Sequence, residues 1–196
     1  MVASSLLPIA IHKNKLYFLF GREGPLDDAP GWADFGGGVD KGETIFQAAL
    51  REGGEELTGF LGDNKDIGKL IKSNGGVYKI TKDPAIYNIH IFRIKYDDKL
   101  PMYYNRNHTF LRERMDNKYL SKTKLFEKVE IGWFTVQDIK KRMKEFRHFY
   151  QETAEHILEE LPKIKAFLHK NKKITRNINN KPNKTKKTNT KYTNNI

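Results

Sequence analysis

Gly37-Gly38-Val39-Asp40-Lys41-Gly42-Glu43, seven further residues, and then Arg51-Glu52-Gly53-Gly54-Glu55-Glu56 form the stretch that decides how this chain is read. Between its halves, Thr44 to Leu57 has helical periodicity. Phe46, Leu50, Gly53 and Leu57 share one stripe, and Ile45, Ala48, Ala49 and Glu52 share another. On such a helix Glu52, Glu55 and Glu56 stand at i, i+3 and i+4, on one face and close together. Three like charges at that spacing repel, and a divalent cation offsets the repulsion directly. Mg²⁺ is hard, takes carboxylate oxygens, keeps waters and commonly holds substrate phosphates. The carboxylates also continue the apolar stripe of Ile45, Ala48 and Ala49, so they point toward the protein, whereas a merely solvated acidic face lies opposite the apolar stripe. Arg51 is placed to pair with Glu43 or Glu55 and tie the loop to the helix. The glycines from Gly36 to Gly38 let backbone approach a ligand, so a carbonyl can complete a coordination shell. They make neither a P-loop, which needs a following Gly-Lys-Ser/Thr, nor a dinucleotide fingerprint, which needs a third glycine.

Outward from this stretch the pattern is mixed α/β. Leu6 to Ile11 and Leu16 to Phe20 are apolar runs around the polar Lys13-Asn14-Lys15, which predicts a β-hairpin. Gly24 to Gly31 is a loop rich in breakers, and Trp32 to Phe35 leads into the glycines. Gly59 to Gly76 reads as loop with a short apolar stretch around Ile67 to Ile71. Ile86 to Ile94 alternates like a strand, and Glu130 to Phe134 reads as a last strand. Thr135 is placed to cap a helix from Val136 to Phe146, and a second helix runs over Phe149 to Leu161. Pro101 to Lys124 is polar, basic and aromatic, with Tyr103, Tyr104, Arg106, His108, Phe110, Arg112 and Arg114, and its pattern assigns no element. It reads as a surface insertion with a local core or as a contact for bases and phosphates. Strands before and after a central helix, closed by helices, predict a layered α/β sandwich.

The 196 residues fit one domain, 1–168, and a Lys/Asn/Thr-rich tail, 169–196, whose composition predicts disorder. Of the formal net charge of +12, Lys170 to Ile196 carries +9, with eight Lys, one Arg and no acid. Any argument from charge to nucleic acid therefore concerns mainly the tail, as an electrostatic arm for RNA or a plain solubilising extension. There is no Cys, which excludes disulfides, thiolate metal sites and a cysteine nucleophile. The six His are scattered without metal spacing. No apolar run is long enough to span a bilayer and no secretory leader is visible, so a soluble cytoplasmic protein without a membrane partner is the expectation.

Gly37, Glu43, Arg51, Glu52, Glu55 and Glu56 resemble the box of the Nudix hydrolase family, G-x5-E-x7-R-E-U-x-E-E-x-G-U with U a bulky aliphatic residue. Six fixed positions match by chance in roughly one chain in 10⁴ to 10⁵ at average residue usage. Two positions depart from the box: Gly53 stands at the aliphatic position, and Thr58 at the late glycine, with Gly59 next. The resemblance implies a Nudix-like α/β/α sandwich with a mixed sheet. It implies hydrolysis of a phosphoanhydride bond in a nucleoside diphosphate linked to another group, by water attack on phosphorus, with Mg²⁺ or Mn²⁺ as cofactor. The metal ligands would be the Gly36 carbonyl, Glu52, Glu55 and Glu56, with Gly37, Glu43 and Arg51 shaping the motif. Glu55 is favoured as general base, and Glu127 and Glu130 are candidates for a supporting ligand or base. Trp32, Phe35 and Arg22 are the substrate-side candidates, the two aromatics serving as core or as a wall of the site. Three functions remain open: an mRNA-decapping-type hydrolase of capped RNA, a hydrolase of small nucleotides or diphosphoinositol polyphosphate, and a binding module without catalysis. Oligomeric state is not legible.

Overall fold

A computed structural model describes residues 2–24, 28–82, 86–120 and 127–179. β1 (Ala3–His12) and β2 (Lys15–Glu23) form the expected hairpin. His12 pairs with Lys15 across a two-residue turn in which Lys13 and Asn14 have φ of 46° and 63°. Two left-handed residues match the right-handed twist of the strands, and Asn tolerates that conformation best after Gly. The sheet then forks. The second half of β1 pairs with β2, its first half with β4 (Phe35–Gly38), and the end of β2 with β3 (Gly31–Ala33), all antiparallel. β3 and β4 thus run across the fork almost as one strand, interrupted only at Asp34. β6 (Tyr87–Arg93) lies parallel to β1, β5 (Val77–Lys82) antiparallel to β6, and β7 (Lys128–Thr135) antiparallel to β2, which completes a mixed seven-stranded sheet.

Side chains alternate across β1, so its neighbours feed different cores. Leu6 packs with α1 (Ile45–Glu56) and α2 (Asn64–Ser73) through Ala49, Ile67 and Ile71. Phe35, Leu57 and Ile131 continue that layer under Tyr104 of α3 (Lys99–Arg112). Leu7 and Ile9 face the other way, and α4 (Asn117–Leu120) is a single short turn. Opposite lie α5 (Val136–Lys141), α6 (Gln151–Glu159) and α7 (Leu161–Asn179), anchored by Ile139, Tyr150, Ala154, Ile157, Ile164 and Leu168. The result is the expected α/β/α sandwich. No helix among the described residues is long and apolar enough to cross a membrane.

Several elements differ from the sequence expectation. The stretch expected as loop before Gly76 contains α2, capped by Asp63, whose side chain accepts from the amides of Lys65 and Asp66. Its buried positions, Ile67 and Ile71, are too few for a visible stripe. The unassigned Pro101 region is mostly α3, where Pro101 falls in the first turn and removes no intrahelical hydrogen bond. Thr135 does cap α5, in a capping box with Asp138, but the helix stops at Lys141 and gives way to a 3₁₀ turn at Met143–Glu145. α7 runs to Asn179, so the boundary expected at residue 169 falls inside it, while the tail beyond, 180–196, lies outside the described residues.

The two glycines inside α1 mark two close approaches. A Cβ on Gly53 would stand 2.5 Å from Leu6 Cδ1 and 3.0 Å from its Cγ, on a side chain that is fully buried. One on Gly54 would meet only Asn64 Oδ1, also at 2.5 Å. Removing a helical glycine gains about 1 kcal/mol of propensity. Gly53→Ala nevertheless forces a core leucine aside, so a net loss of about 1–2 kcal/mol is expected. Gly54→Ala displaces the end of a side chain and is expected to be neutral or stabilising. Urea melts of the two variants check this ordering, and the reverse order would mean that α1 does not sit against β1 as described.

Candidate active site

The acidic end of α1 is placed by its other end. Thr44 Oγ1 accepts from the Gln47 amide while the Gln47 side chain accepts from the Thr44 amide, which fixes the start and hence the rotation of the helix. The last turns then lie along β4. A Cβ on Gly37 would be 2.6 Å from the Glu52 carboxylate carbon, so only glycine admits that carboxylate there. The Gly36 amide donates to Glu56 Oε2 at 2.9 Å. Glu52 and Glu56 are buried, and the Glu55 side chain is about a third exposed at 35%. Arg51 binds the loop to the helix: it donates to both Glu43 oxygens at 3.0 and 3.1 Å, to Glu52 Oε1 at 2.6 Å and to the Gly38 carbonyl at 2.9 Å. Its hydrogen bonds hold the Glu43 carboxyl below the usual range and the guanidinium firmly charged.

Beneath this loop lies a buried charge network. Lys128, 1% exposed, places Nζ 2.5 Å from Glu23 Oε1 and 3.2 Å from Glu56 Oε1. Arg147 donates to the same Glu23 oxygen at 2.7 Å. Burial pushes the Glu56 carboxyl up to about 8, against the pull of Lys128 and with added repulsion from Glu23 and Glu127. Burial alone would lower the Lys128 ammonium, but Glu56 and Glu23 outweigh it and raise it. Where β3 and β4 meet, Asp34 is buried and accepts from Ser5 Oγ at 2.6 Å and from Tyr87 Oη. Burial raises its carboxyl despite these bonds.

A cavity of about 240 Å³ opens here, lined by Asp34, Gly36 to Gly38, Tyr87, Lys128, Arg147 and Phe149. Tyr87 and Phe149 also border a neighbouring space of about 310 Å³. The Phe149 ring is 56% exposed, with the Arg147 guanidinium 4.9 Å from its centre. A larger cavity, about 450 Å³, sits near the β1–β2 turn among Ile11, Leu16, Lys165 and Leu168. It contains no carboxylate.

The family model of the NUDIX domain matches residues 7–154. The chain belongs to the Nudix family. It is therefore a Nudix-type hydrolase acting on acid anhydrides in phosphorus-containing compounds, and hydrolases of this family generally use divalent metal ions. Similar solved structures include a C. elegans Ap4A hydrolase in a binary complex, at 19% identity over 85% of this chain and 98% of that one, with a TM-score of 0.48. A mutT/nudix family protein from Listeria innocua is 16% identical over 83% of this chain and 94% of its own, TM-score 0.44. The Nudix hydrolase RenU of M. smegmatis is 14% identical over 84% and 88%, TM-score 0.47. No curated protein sequence matches.

Within this Nudix domain the residues singled out from sequence fall into two groups. Gly36, Gly37, Glu43, Arg51, Glu52, Glu55 and Glu56 come together at the β4–α1 junction. Arg22 and Glu130 do not join them. They pair with each other at 2.8 Å across β2 and β7, and because Ile131 packs under α3, strand alternation turns Glu130 to the opposite face. Glu127 is the later acid whose charge reaches Glu56. Trp32 and Phe35 are core: Trp32 packs on Phe134 with ring centres 4.8 Å apart, and Phe35 is fully buried, so neither lines the cavity. The cavity residues absent from the sequence expectation are Asp34, Tyr87, Lys128, Arg147 and Phe149. Lys128 reaches the site because the β2–β7 register shifts between Arg22 and Glu23, which turns it toward α1.

Proposed function

We propose that this Nudix hydrolase cleaves a P–O–P linkage in a nucleoside diphosphate bonded to a further group, with Glu52, Glu55, Glu56 and the Gly36 carbonyl holding Mg²⁺ or Mn²⁺. The observation that carries this reading is the packing of Glu52 and Glu56, with Glu55 beside them on the same helix, against a glycine strand that floors a cavity bearing Lys128, Arg147 and Phe149. Among the described residues no three acidic or histidine side chains are gathered as a ready metal cage. The donor set nonetheless fits: it is oxygen only, and two of its carboxylates are fixed by Arg51, Gly36 and Lys128. The metal, when bound, neutralises the pyrophosphate and lowers the pKa of the attacking water.

The chain's own residues supply the rest. Arg51 and the Gly36 amide hold Glu52 and Glu56 in place, and Glu55, the most exposed of the three, takes the proton of the attacking water. The water oxygen bonds to phosphorus as the bridging P–O bond breaks and the nucleotide leaves. Phe149 offers a face to a base, and Arg147, though it also pairs with Glu23, is the lining cation placed to meet a phosphate. Capped RNA is a second reading, favoured by the basic charge of residues 99–124 and of Lys170 to Ile196. A panel of dinucleoside polyphosphates, nucleotide sugars, oxidised nucleotides, diphosphoinositol polyphosphate, cap analogue and capped RNA, each with Mg²⁺ or Mn²⁺, tests the proposal. Phosphorus NMR in ¹⁸O-water is expected to show label in one phosphate product, and chelation to stop turnover. Tight binding with no turnover of any member would make the chain a non-catalytic module instead.

A further inference from the structure

Hydrolysis leaves the outer face of α3 unexplained. Its inner face is committed: Tyr104 and His108 stack with ring centres 3.8 Å apart, and Tyr104 Oη donates to the Glu56 carbonyl at 2.6 Å. On the outer side Lys99, Tyr103, Arg106 and Phe110 fall at i, i+4, i+7 and i+11, one continuous stripe. Arg114 extends it, with its guanidinium 3.8 Å from the Phe110 ring centre and Nη1 donating to the Phe110 carbonyl. Cation and aromatic thus alternate along the face for five positions. Tyr103 and Phe110 are 55% and 54% exposed; Arg114 also stands 3.7 Å from the Glu113 carboxylate, whereas Lys99 and Arg106 have no ion-pair partner among the described residues. Single exposed apolar side chains are ordinary, but an ordered aromatic–cation series is not.

The charge of the whole chain is distributed to match. Residues 99–124 hold seven basic and two acidic residues, Lys170 to Ile196 hold nine basic and none acidic, and the remainder is net −2. Residues 99–124 and the C-terminal segment are thus each net positive, while the remainder taken together is slightly acidic. We propose that the outer face of α3 binds single-stranded RNA, Tyr103 and Phe110 stacking on bases while Lys99, Arg106 and Arg114 meet phosphates. Stacking requires bases that are not already paired, which selects single strands over duplex. The choice of RNA over DNA rests on the hydrolase reading, because a polynucleotide carries a P–O–P linkage at a capped or triphosphorylated RNA end. The stripe lies across α3 from the carbonyl of Glu56, so a bound chain would lie about one helix diameter, ~10 Å, from the catalytic helix.

Fluorescence anisotropy of the full chain with a labelled, uncapped RNA of about 15 nucleotides tests this without calling on hydrolysis. Tyr103→Ser with Phe110→Ser is expected to weaken binding about tenfold or more. Arg106→Gln is expected to reduce the slope of log affinity against log salt by about 0.7. Photo-crosslinks from 4-thiouridine should fall within residues 99–114, and duplex RNA should bind less well. Unchanged affinity in the double variant, crosslinks confined to Lys170 to Ile196, or equal binding of duplex would overturn the proposal and leave the stripe to a protein partner. The double variant should hydrolyse small nucleotides like the wild type. A chain that binds RNA in this way yet hydrolyses nothing would refute the reaction and not the surface.

Discussion

Glu56→Gln is expected to lower metal-dependent turnover by about 10³-fold or more while leaving the protein folded, the scale of losing a group that acts directly on transition-state charge. Gln keeps the shape and an oxygen for the Gly36 amide, so the β4–α1 contact survives, although its NH₂ then faces Lys128 Nζ, 3.2 Å from the Glu56 oxygen it replaces. Glu52→Gln should behave alike, since its carboxylate lies against Gly37 and is held by Arg51. A second measurement separates a role in catalysis from one in folding. In the metal-free protein the Glu56 carboxyl is raised to about 8 by burial. A carboxyl whose folded pKa exceeds its unfolded value keeps its proton in the folded state after the unfolded chain has released it. Its contribution to stability is therefore complete below about 4.5 and is lost as pH rises toward 8. Urea melts from pH 5 to 8 should show that decline in the metal-free wild type, and the variant should lack it. Full activity in either Gln variant would remove these glutamates from metal binding. An unchanged pH slope in Glu56→Gln would place the decline on another group.

What was legible in the sequence follows from the range over which each feature is built. Glu52, Glu55 and Glu56 lie within two turns of one helix, so spacing alone puts them on one face, and Thr44 with Gln47 signals where that helix starts. The hairpin at Lys13-Asn14 and the cap at Thr135 are local in the same sense. The rest of the site is assembled by pairing between distant segments. Lys128 and Glu23 are 105 residues apart, and they face each other only because a bulge changes the register of β7 on β2. Nothing in the local sequence distinguishes Lys128 from a solvated strand lysine. Glu130 shows the reverse case: it sits in the strand expected from sequence, but its face is set by how β7 pairs, and that face is the wrong one for α1. Trp32 looked suited to either wall or core, and the edge-on packing with Phe134 settles its place in the core. α2 and α3 are obscured by ordinary breakers: Gly68 is tolerated because tertiary packing outweighs propensity, and Pro101 because it stands in the first turn.

The buried lysine also carries the largest expected effect on stability. Lys128→Met removes the ammonium that Glu23 and Glu56 share, while all three side chains are at most 5% exposed. Breaking a buried pair by deleting one partner costs about 3–5 kcal/mol, because the remaining charge is left without compensation. Two contacts temper the loss: Arg147 stays on Glu23 at 2.7 Å, and Glu56 keeps the Gly36 amide at 2.9 Å. Met matches the length of the lysine stem, so the void is small and the effect is electrostatic. Above pH 8, where Glu56 is ionised in the folded wild type, the double variant Lys128→Met with Glu56→Gln becomes diagnostic. With Glu56 already neutral, removing the lysine should cost less than it does in the wild type, by a coupling of about 1–3 kcal/mol in a double-mutant cycle. Additive losses would show that Lys128 answers to Glu23 alone, and its position against Glu56 would then be only a consequence of packing. A positive coupling would mean that the same amine stabilises the fold and holds a catalytic carboxylate against β4, so the site's charge balance is built into the core beneath it.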